Sequence, residues 1–246
     1  MLFNTLISGE KMNTEKLSNR LEAVTKYIPM GTRVADIGSD HAYLPCYAVK
    51  KGIVPFAIAG EVVEGPYQSA KKQVEIEGLE NQISVRKGNG LEVIKLGEVD
   101  CITIAGMGGT LIATILEEGK NKLDTVQRLI LQPNLSAVSI RNWLLKHGWE
   151  LIAEEILEED GKIYEILAAE KGEPLKPYKN ADQGLLMGPF LMEEKSIVFR
   201  DKWLGELKNW ERILMQLEKA AQTEETEKRK QELRQKIKMV EEVLNQ

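Results

Sequence analysis

RVADIGSDHAYLP, residues 33–45, is the stretch whose reading decides the fold. Arg33–Ile37 is a short β-rich run, Gly38 ends it, and the spacing from His41 to Lys51 is helical. A strand that carries an acidic residue, Asp36, to its end and then turns on a glycine into a helix is the opening unit of an open parallel sheet. In such sheets ligands bind beyond the carboxyl ends of the strands. The same alternation continues outward. Strands are predicted over Phe56–Val62, Ile83–Lys87, Asp100–Ala105 and Arg128–Gln132, and helices over Leu17–Tyr27, Tyr67–Ile76, Gly109–Glu118 and Ser139–His147. Trp149–Leu157 and Ile163–Ala169 flank Glu159-Asp160-Gly161, a hairpin turn signal. The expectation is an α/β chain with a seven-stranded, mostly parallel sheet whose last strand is antiparallel.

Beyond the sheet the pattern changes. Glycines and prolines cluster between Gly172 and Pro189, and then long helical stripes begin. Trp203, Leu207, Trp210, Leu214 and Leu217 make one stripe, and Leu233, Ile237, Val240 and Leu244 make another. Both have the narrow spacing of a coiled-coil seam, with Thr223 placed as an N-cap between them. The expected organisation is a sheet domain over residues 1–172, a linker over 173–189, and an antiparallel helical hairpin over 190–246 whose seam is internal.

Composition bounds the function. The chain has 246 residues, 43% hydrophobic and 29% charged, as in ordinary globular proteins. Two cysteines, Cys46 and Cys101, exclude a disulfide framework, and with two histidines they leave little for a metal. No apolar run approaches the ~20 residues of a membrane span. The opening MLFNTLISGEKMNTEK lacks the features of a signal peptide, so a cytoplasmic protein is expected. The net charge of −5 lies outside the charge-balanced segment from Pro189 onward, which argues against indiscriminate coating of nucleic acid.

The strand ends carry the chemistry. The dinucleotide pattern G-x-G-x-x-G fails after Gly38, because position 40 is Asp and position 43 is Tyr. A pyrophosphate beside Asp40 meets a like charge, whereas a ligand with a cationic centre does not. That choice favours S-adenosylmethionine, with its sulfonium and α-amino groups, over a nicotinamide cofactor. Glu61, followed by Val62, ends the second strand, where a carboxylate accepts hydrogen bonds from two ribose hydroxyls. Asn89-Gly90 follows the third strand, with a short polar side chain for an adenine amino group. Ala105-Gly106-Met107-Gly108-Gly109 follows the fourth and lets backbone pass close to a flat ligand.

DIGSDHAYLP followed by IAGMGG resembles the bacterial tRNA (adenine(22)-N(1))-methyltransferase family, as do LSNRLEAVTKYIP (17–29) and QPNLSAVSIRNWL (132–144). The resemblance spans nearly the whole chain. It implies a Rossmann-like class I methyltransferase with a helical C-terminal extension, S-adenosylmethionine as cofactor, and tRNA as partner. The family motifs fall on Asp36, Gly38, Ser39, Asp40, His41, Glu61, Asn89, Gly90 and Gly106 to Gly109. Asn89 stands where many class I enzymes carry Asp. The Asp/Asn-Pro-Pro-aromatic motif of amino methyltransferases is absent at the fourth strand, which fits attack by a ring nitrogen.

Adenine N1 has a lone pair and needs no deprotonation, so the chemistry reduces largely to positioning an unpaired base. Asp40 is the candidate for stabilising the charge that develops. Lys16, Arg20 and Lys26 in the N-terminal helix region, Arg141, and Arg229 and Arg234 in the last helix are candidates for phosphate contacts. A monomer without metal is expected. The alternatives are a methyltransferase acting on another substrate and a non-catalytic Rossmann-like adaptor working through its helical hairpin.

Overall fold

A computed structural model describes residues 13–219, 221 and 223–245. Most of the opening segment, read above as lacking a signal peptide, lies outside the described residues. Strands β1 (Arg33–Ile37), β2 (Phe56–Glu61), β3 (Ile83–Lys87), β4 (Cys101–Gly108), β5 (Arg128–Leu135), β6 (Trp149–Glu159) and β7 (Lys162–Lys171) form a seven-stranded sheet in the order β3-β2-β1-β4-β5-β7-β6. The α-helices among the described residues are α1 (Asn19–Lys26), α2 (Tyr43–Lys50), α3 (Glu64–Glu77), α4 (Gly109–Glu118), α5 (Ala137–Lys146), α6 (Ala181–Met187), α7 (Pro189–Glu194), α8 (Ile197–Lys219) and α9 (Glu224–Leu244). None is long and apolar enough to cross a membrane. The chain divides into two compact units. One comprises the described residues up to Ala105 together with Ile115–Val126, and the other comprises Gly106–Thr114 and the described residues from Gln127 onward.

In the first unit β1 pairs in parallel with β2 on one side and with β4 on the other, setting Asp36 opposite Ala59 and Thr103. β2 pairs in parallel with β3, Glu61 opposite Lys87. Val34, Ala35, Ala57, Ile58, Ile102 and Ile104 are fully buried, the continuous apolar pattern of parallel strands covered on both faces. Ser18 caps α1 by accepting a hydrogen bond from the Leu21 N–H at 3.3 Å. Gly78, at φ +66°, closes α3 in the left-handed conformation that suits glycine. Pro66 lies in the first turn of α3, where its missing N–H removes no helix bond, so the helix starts earlier than the sequence pattern suggested.

In the second unit β7 lies antiparallel between β5 and β6. Asp160 and Gly161 both have positive φ, the two-residue hairpin turn expected from Asp-Gly. α8 and α9 run antiparallel, for Arg200 reaches the carbonyl of Leu244 and Arg234 reaches Glu218. The apolar seam is not internal to this hairpin. Phe199, Trp203, Val240 and Val243 pack with Met187 of α6, Leu191 of α7 and Ile156 of β6 in one core cluster. The expected linker over 173–189 is in part the packed helix α6, and no boundary between the two units falls there.

A buried charge cluster joins the same elements. Arg141 of α5 donates to Glu154 of β6 at 2.7 Å and to Glu165 of β7 at 2.5 Å, and Lys202 of α8 pairs with Glu165. Glu154 also accepts from the Phe190 N–H at 3.1 Å. A Cβ at Gly188 would lie 2.6 Å from Arg141 Nη2, so glycine is what lets the chain cross this cluster. The side chains of Arg141 and Glu154 are 0% exposed, and that of Glu165 is 3% exposed. Burial opposes every charge here. For Arg141 the two carboxylates outweigh it and raise its pKa. For Glu165 the two cations outweigh it and lower its pKa, while burial holds the Glu154 carboxyl above its ordinary value.

Candidate functional site

Within the first unit, Asp36, Gly38, Ser39, Asp40 and Glu61 come together at the ends of β1 and β2. Asp36 is buried. Its carboxylate accepts from Ser39 Oγ at 2.6 Å and from Thr103 Oγ1 at 2.7 Å. Burial pushes the Asp36 pKa up, the two hydroxyls pull it down, the Glu61 charge raises it again, and the positive charge of Arg20 lowers it. Gly38, at φ +73°, donates its N–H to the Gly60 carbonyl at 2.9 Å, and Ser39 N–H does so at 3.1 Å. The loop is thereby tied to β2. Asp40 and Ala42 are left-handed at φ +53° and +55°, a conformation that non-glycine residues adopt only where their surroundings enforce it.

Glu61 is 8% exposed and binds backbone on both carboxylate oxygens. Oε1 accepts from Asp40 N–H at 3.1 Å, and Oε2 accepts from Val62 N–H at 2.9 Å and Val63 N–H at 3.4 Å. Its peptide carbonyl accepts from Gly88 N–H at 2.9 Å, which fixes the approach to Asn89. Asn89 is exposed, and its N–H donates to Glu92 Oε2 at 3.0 Å. Gly90, at φ +52°, has no room for a Cβ, which would sit 2.9 Å from Ile115 Cγ2. The Asp40 side chain is 67% exposed. His41 Nε2 lies 3.6 Å from its Oδ1, and the His41 ring stacks on Tyr43 at 5.3 Å.

This donor set suits S-adenosylmethionine. Two acidic side chains, Asp36 and Glu61, are buried at the strand ends, and a cationic ligand relieves their charge where a pyrophosphate aggravates it. A carboxylate has about four lone-pair sites, so Glu61 keeps acceptor capacity for ribose hydroxyls beside its backbone bonds. Val62 and Val63, 53% and 57% exposed, add an apolar flank of the kind an adenine ring covers. Among the described residues, no group of three His, Cys, Asp or Glu side chains is arranged to hold a metal ion.

In the second unit the Gly-rich segment, expected as a turn, is the end of β4 up to Gly108 followed directly by α4, and it is shaped by β5. Gly106, at φ +80°, is exposed, while Met107 and Gly108 are half-buried. A Cβ at Gly108 would meet nothing within 4 Å. At Gly109 it would fall 2.2 Å from the Ser136 carbonyl oxygen, so this glycine serves close packing. Gln132 and Asn134, which the sequence reading did not single out, bond to the peptide groups of Gly106. Thr103 was missed in the same way. Its hydroxyl on Asp36 could have been suspected only from the pairing of β4 with β1.

The candidate phosphate contacts separate into two groups. Lys16 and Lys26 are exposed at α1, and Arg20 lies close enough to Asp36 to act on its titration. Arg229 and Arg234 are exposed on α9, with Arg234 3.3 Å from Glu218. Lys230 is buried, so the basic face of α9 is narrower than its sequence implies. Arg141 is no phosphate contact. It is fully buried between Glu154 and Glu165, because it shares the buried face of α5 with Ala137, Ile140 and Leu144.

A family model described as tRNA (adenine(22)-N(1))-methyltransferase matches residues 34–242. A protein of that name from Bacillus subtilis (strain 168) is 55% identical over 236 residues, covering 95% of this chain and 99% of the relative. The crystal structure of the B. subtilis M1A22 tRNA methyltransferase superposes with a TM-score of 0.90 at 54% identity, covering 93% of this chain and 99% of that one. A Streptococcus pneumoniae structure, of a putative tRNA (m1A22) methyltransferase in complex with S-adenosyl-L-methionine, gives 0.83 at 47% identity, covering 93% and 100%. With its strand-end carboxylates, its Gly-rich turn and these matches along almost its entire length, the chain belongs to the tRNA (adenine(22)-N(1))-methyltransferase family.

Proposed function

We propose that this chain transfers a methyl group from S-adenosylmethionine to N1 of an adenine in tRNA, at position 22 as its family name specifies. The observation that carries the reading is the carboxylate pair at the ends of β1 and β2, each anchored by hydrogen bonds, with exposed Asp40 beyond the first and exposed Val62 and Val63 beyond the second. Bound S-adenosylmethionine supplies an electrophilic methyl group on a cationic sulfur. Glu61 holds the ribose, Asp36 and Ser39 form the acidic floor, and Val62 and Asn89 flank the adenine of the cofactor. Asp40 offers an exposed carboxylate next to that floor, suited to an ammonium group or to the positive charge that develops on the acceptor base. Gly106, Met107 and Gly108 are the last residues of β4, beyond Ile104, which pairs with Ile37 of β1.

N1 lies on the Watson–Crick edge, so the acceptor adenine is bound unpaired. Lys16, Arg20, Lys26, Arg229 and Arg234 serve the phosphates. The same reading makes the protein a cytoplasmic monomer with no resident metal. The test is incubation of the full chain with unmodified tRNA and labelled S-adenosylmethionine, followed by nucleoside mass analysis. Labelled 1-methyladenosine, lost when adenine 22 is replaced, is expected. Tight cofactor binding with label in a different product overturns the substrate. Absence of cofactor binding by calorimetry leaves the adaptor reading.

A further inference from the structure

Gly106 is held on both sides of its residue by β5. Its N–H donates to Gln132 Oε1 at 2.9 Å, and its carbonyl accepts from Asn134 Nδ2 at 2.7 Å. Gln132 is fully buried and braced in turn, its Nε2 donating to the Pro133 carbonyl at 2.9 Å. A carbonyl only accepts, so the end of the Asn134 amide that faces Gly106 is its NH2 group, and Oδ1 is the end left over. Asn134 is exposed, and its Oδ1 has no protein partner among the described residues. The segment that follows is tightly set. Ser136 is left-handed at φ +59°, and its carbonyl lies where a side chain on Gly109 would be. The result is an acceptor oxygen of fixed polarity, mounted on the backbone of the Gly-rich turn.

We infer that Asn134 is a specificity-determining residue for the acceptor base, its Oδ1 accepting a hydrogen bond from the N6 amino group of the adenine whose N1 is methylated. The inference rests on the proposed function. Adenine presents a donor at N6 beside the lone pair at N1. Guanine presents an acceptor at O6 beside an N1–H, so a fixed acceptor favours adenine and repels guanine. As the N1 lone pair becomes the new C–N bond, positive charge spreads over the ring onto N6, and its N–H becomes a stronger donor. The hydrogen bond is therefore stronger in the transition state than in the bound substrate, and its loss appears in kcat more than in KM.

The experiment uses the full chain and tRNA built with either adenine or purine ribonucleoside, which lacks the amino group, at the acceptor position. Purine N1 is intrinsically less nucleophilic, so the adenine-to-purine ratio of kcat is compared between enzymes, which cancels that difference. Asn134→Ala is expected to lower the ratio roughly ten-fold, the effect of one hydrogen bond of ordinary net strength. Its KM for tRNA and its affinity for S-adenosylmethionine stay within about two-fold. Asn134→Ser, too short to reach the base, gives the same result and covers the case in which the alanine variant does not fold. Asn134→Asp keeps an acceptor but cannot donate to Gly106. It is expected to be slower on both substrates with the ratio retained. An unchanged ratio in the alanine and serine variants overturns the inference, because the side chain then only holds Gly106. Failure of the unaltered chain to methylate adenine-bearing tRNA, with cofactor binding intact, is a separate result that removes the proposed substrate and this inference together.

Discussion

Replacing Arg141 with methionine tests the difference between a structural and an RNA-binding arginine. Methionine nearly preserves volume, so little cavity forms and the charge is what changes. Glu154 then loses the cation it pairs with among the described residues, while Glu165 keeps Lys202. Breaking one member out of a buried ion cluster costs about 3–5 kcal/mol. In a chain of this length that lowers Tm by roughly 6–20 °C. The loss depends on pH. Burial already holds the Glu154 carboxyl above its ordinary value, and removal of Arg141 raises it further. The folded variant then binds a proton that the unfolded chain releases, so its stability falls as pH rises from the ordinary carboxylate range toward neutrality. Glu165, depressed in the intact protein, works in the opposite sense and adds stability above that range. The deficit is therefore largest near neutral pH and shrinks toward pH ~5. Denaturant unfolding at several pH values measures it, and adding Glu154→Leu to remove the stranded charge recovers part of the loss. A stability within about 1 kcal/mol of the intact protein refutes the reasoning. So does a salt slope of tRNA binding that falls by about one unit, which would return Arg141 to the phosphates.

Glu61→Gln weakens S-adenosylmethionine binding by about 1.5–3 kcal/mol, the scale of hydrogen bonds to a charged group, as read by calorimetry. It also lowers Tm, because whichever way the amide turns, its NH2 faces a backbone N–H at Asp40 or at Val62; unchanged cofactor affinity removes Glu61 from the site. Gly108→Val reduces methyl transfer with little change in melting, since the new side chain enters open space, whereas Gly106→Val destabilises as well because its backbone is left-handed. Full activity of Gly108→Val makes the turn structural only. Arg229→Ala and Arg234→Ala each reduce the salt slope of tRNA binding by about one unit and leave cofactor affinity unchanged; an unaltered slope takes α9 out of the RNA interface.

The strands were legible because they are buried apolar runs closed by turn residues, and Arg33–Ile37 and Ile83–Lys87 appear with the expected bounds. β4 and β5 run longer than expected because glycines 106 and 108 and Pro133 are poor strand formers that pairing nevertheless retains. The strand-end carboxylates were legible from spacing alone, since the chain order of a parallel sheet fixes which loops follow which strands. Arg141 was not, because its partners lie 13 and 24 residues further along the chain. The available signal was its helical phase, with Ala137, Ile140 and Leu144 on the same stripe. The stripes of α8 and α9 have the same spacing whether their partner is another helix or a sheet edge. Periodicity therefore located Trp203 and Val240 as core residues without showing that they meet Ile156. Gln132 and Asn134 are ordinary residues at a strand end, and only the position of Gly106 gives them meaning.

The buried charge cluster also constrains how this chain can exchange parts with its relatives. Its members come from α5, β6, β7 and α8, and Gly188 and Phe190 supply the backbone that passes over it. A chimera joined anywhere between Arg141 and Lys202 inherits one side of the cluster from each parent. If the parents differ at any member, the hybrid strands a charge in the interior. The C-terminal helices are therefore not a cassette, and recombination within the family should tolerate junctions before α5 far better than junctions at the glycine- and proline-rich stretch that looks like a natural seam.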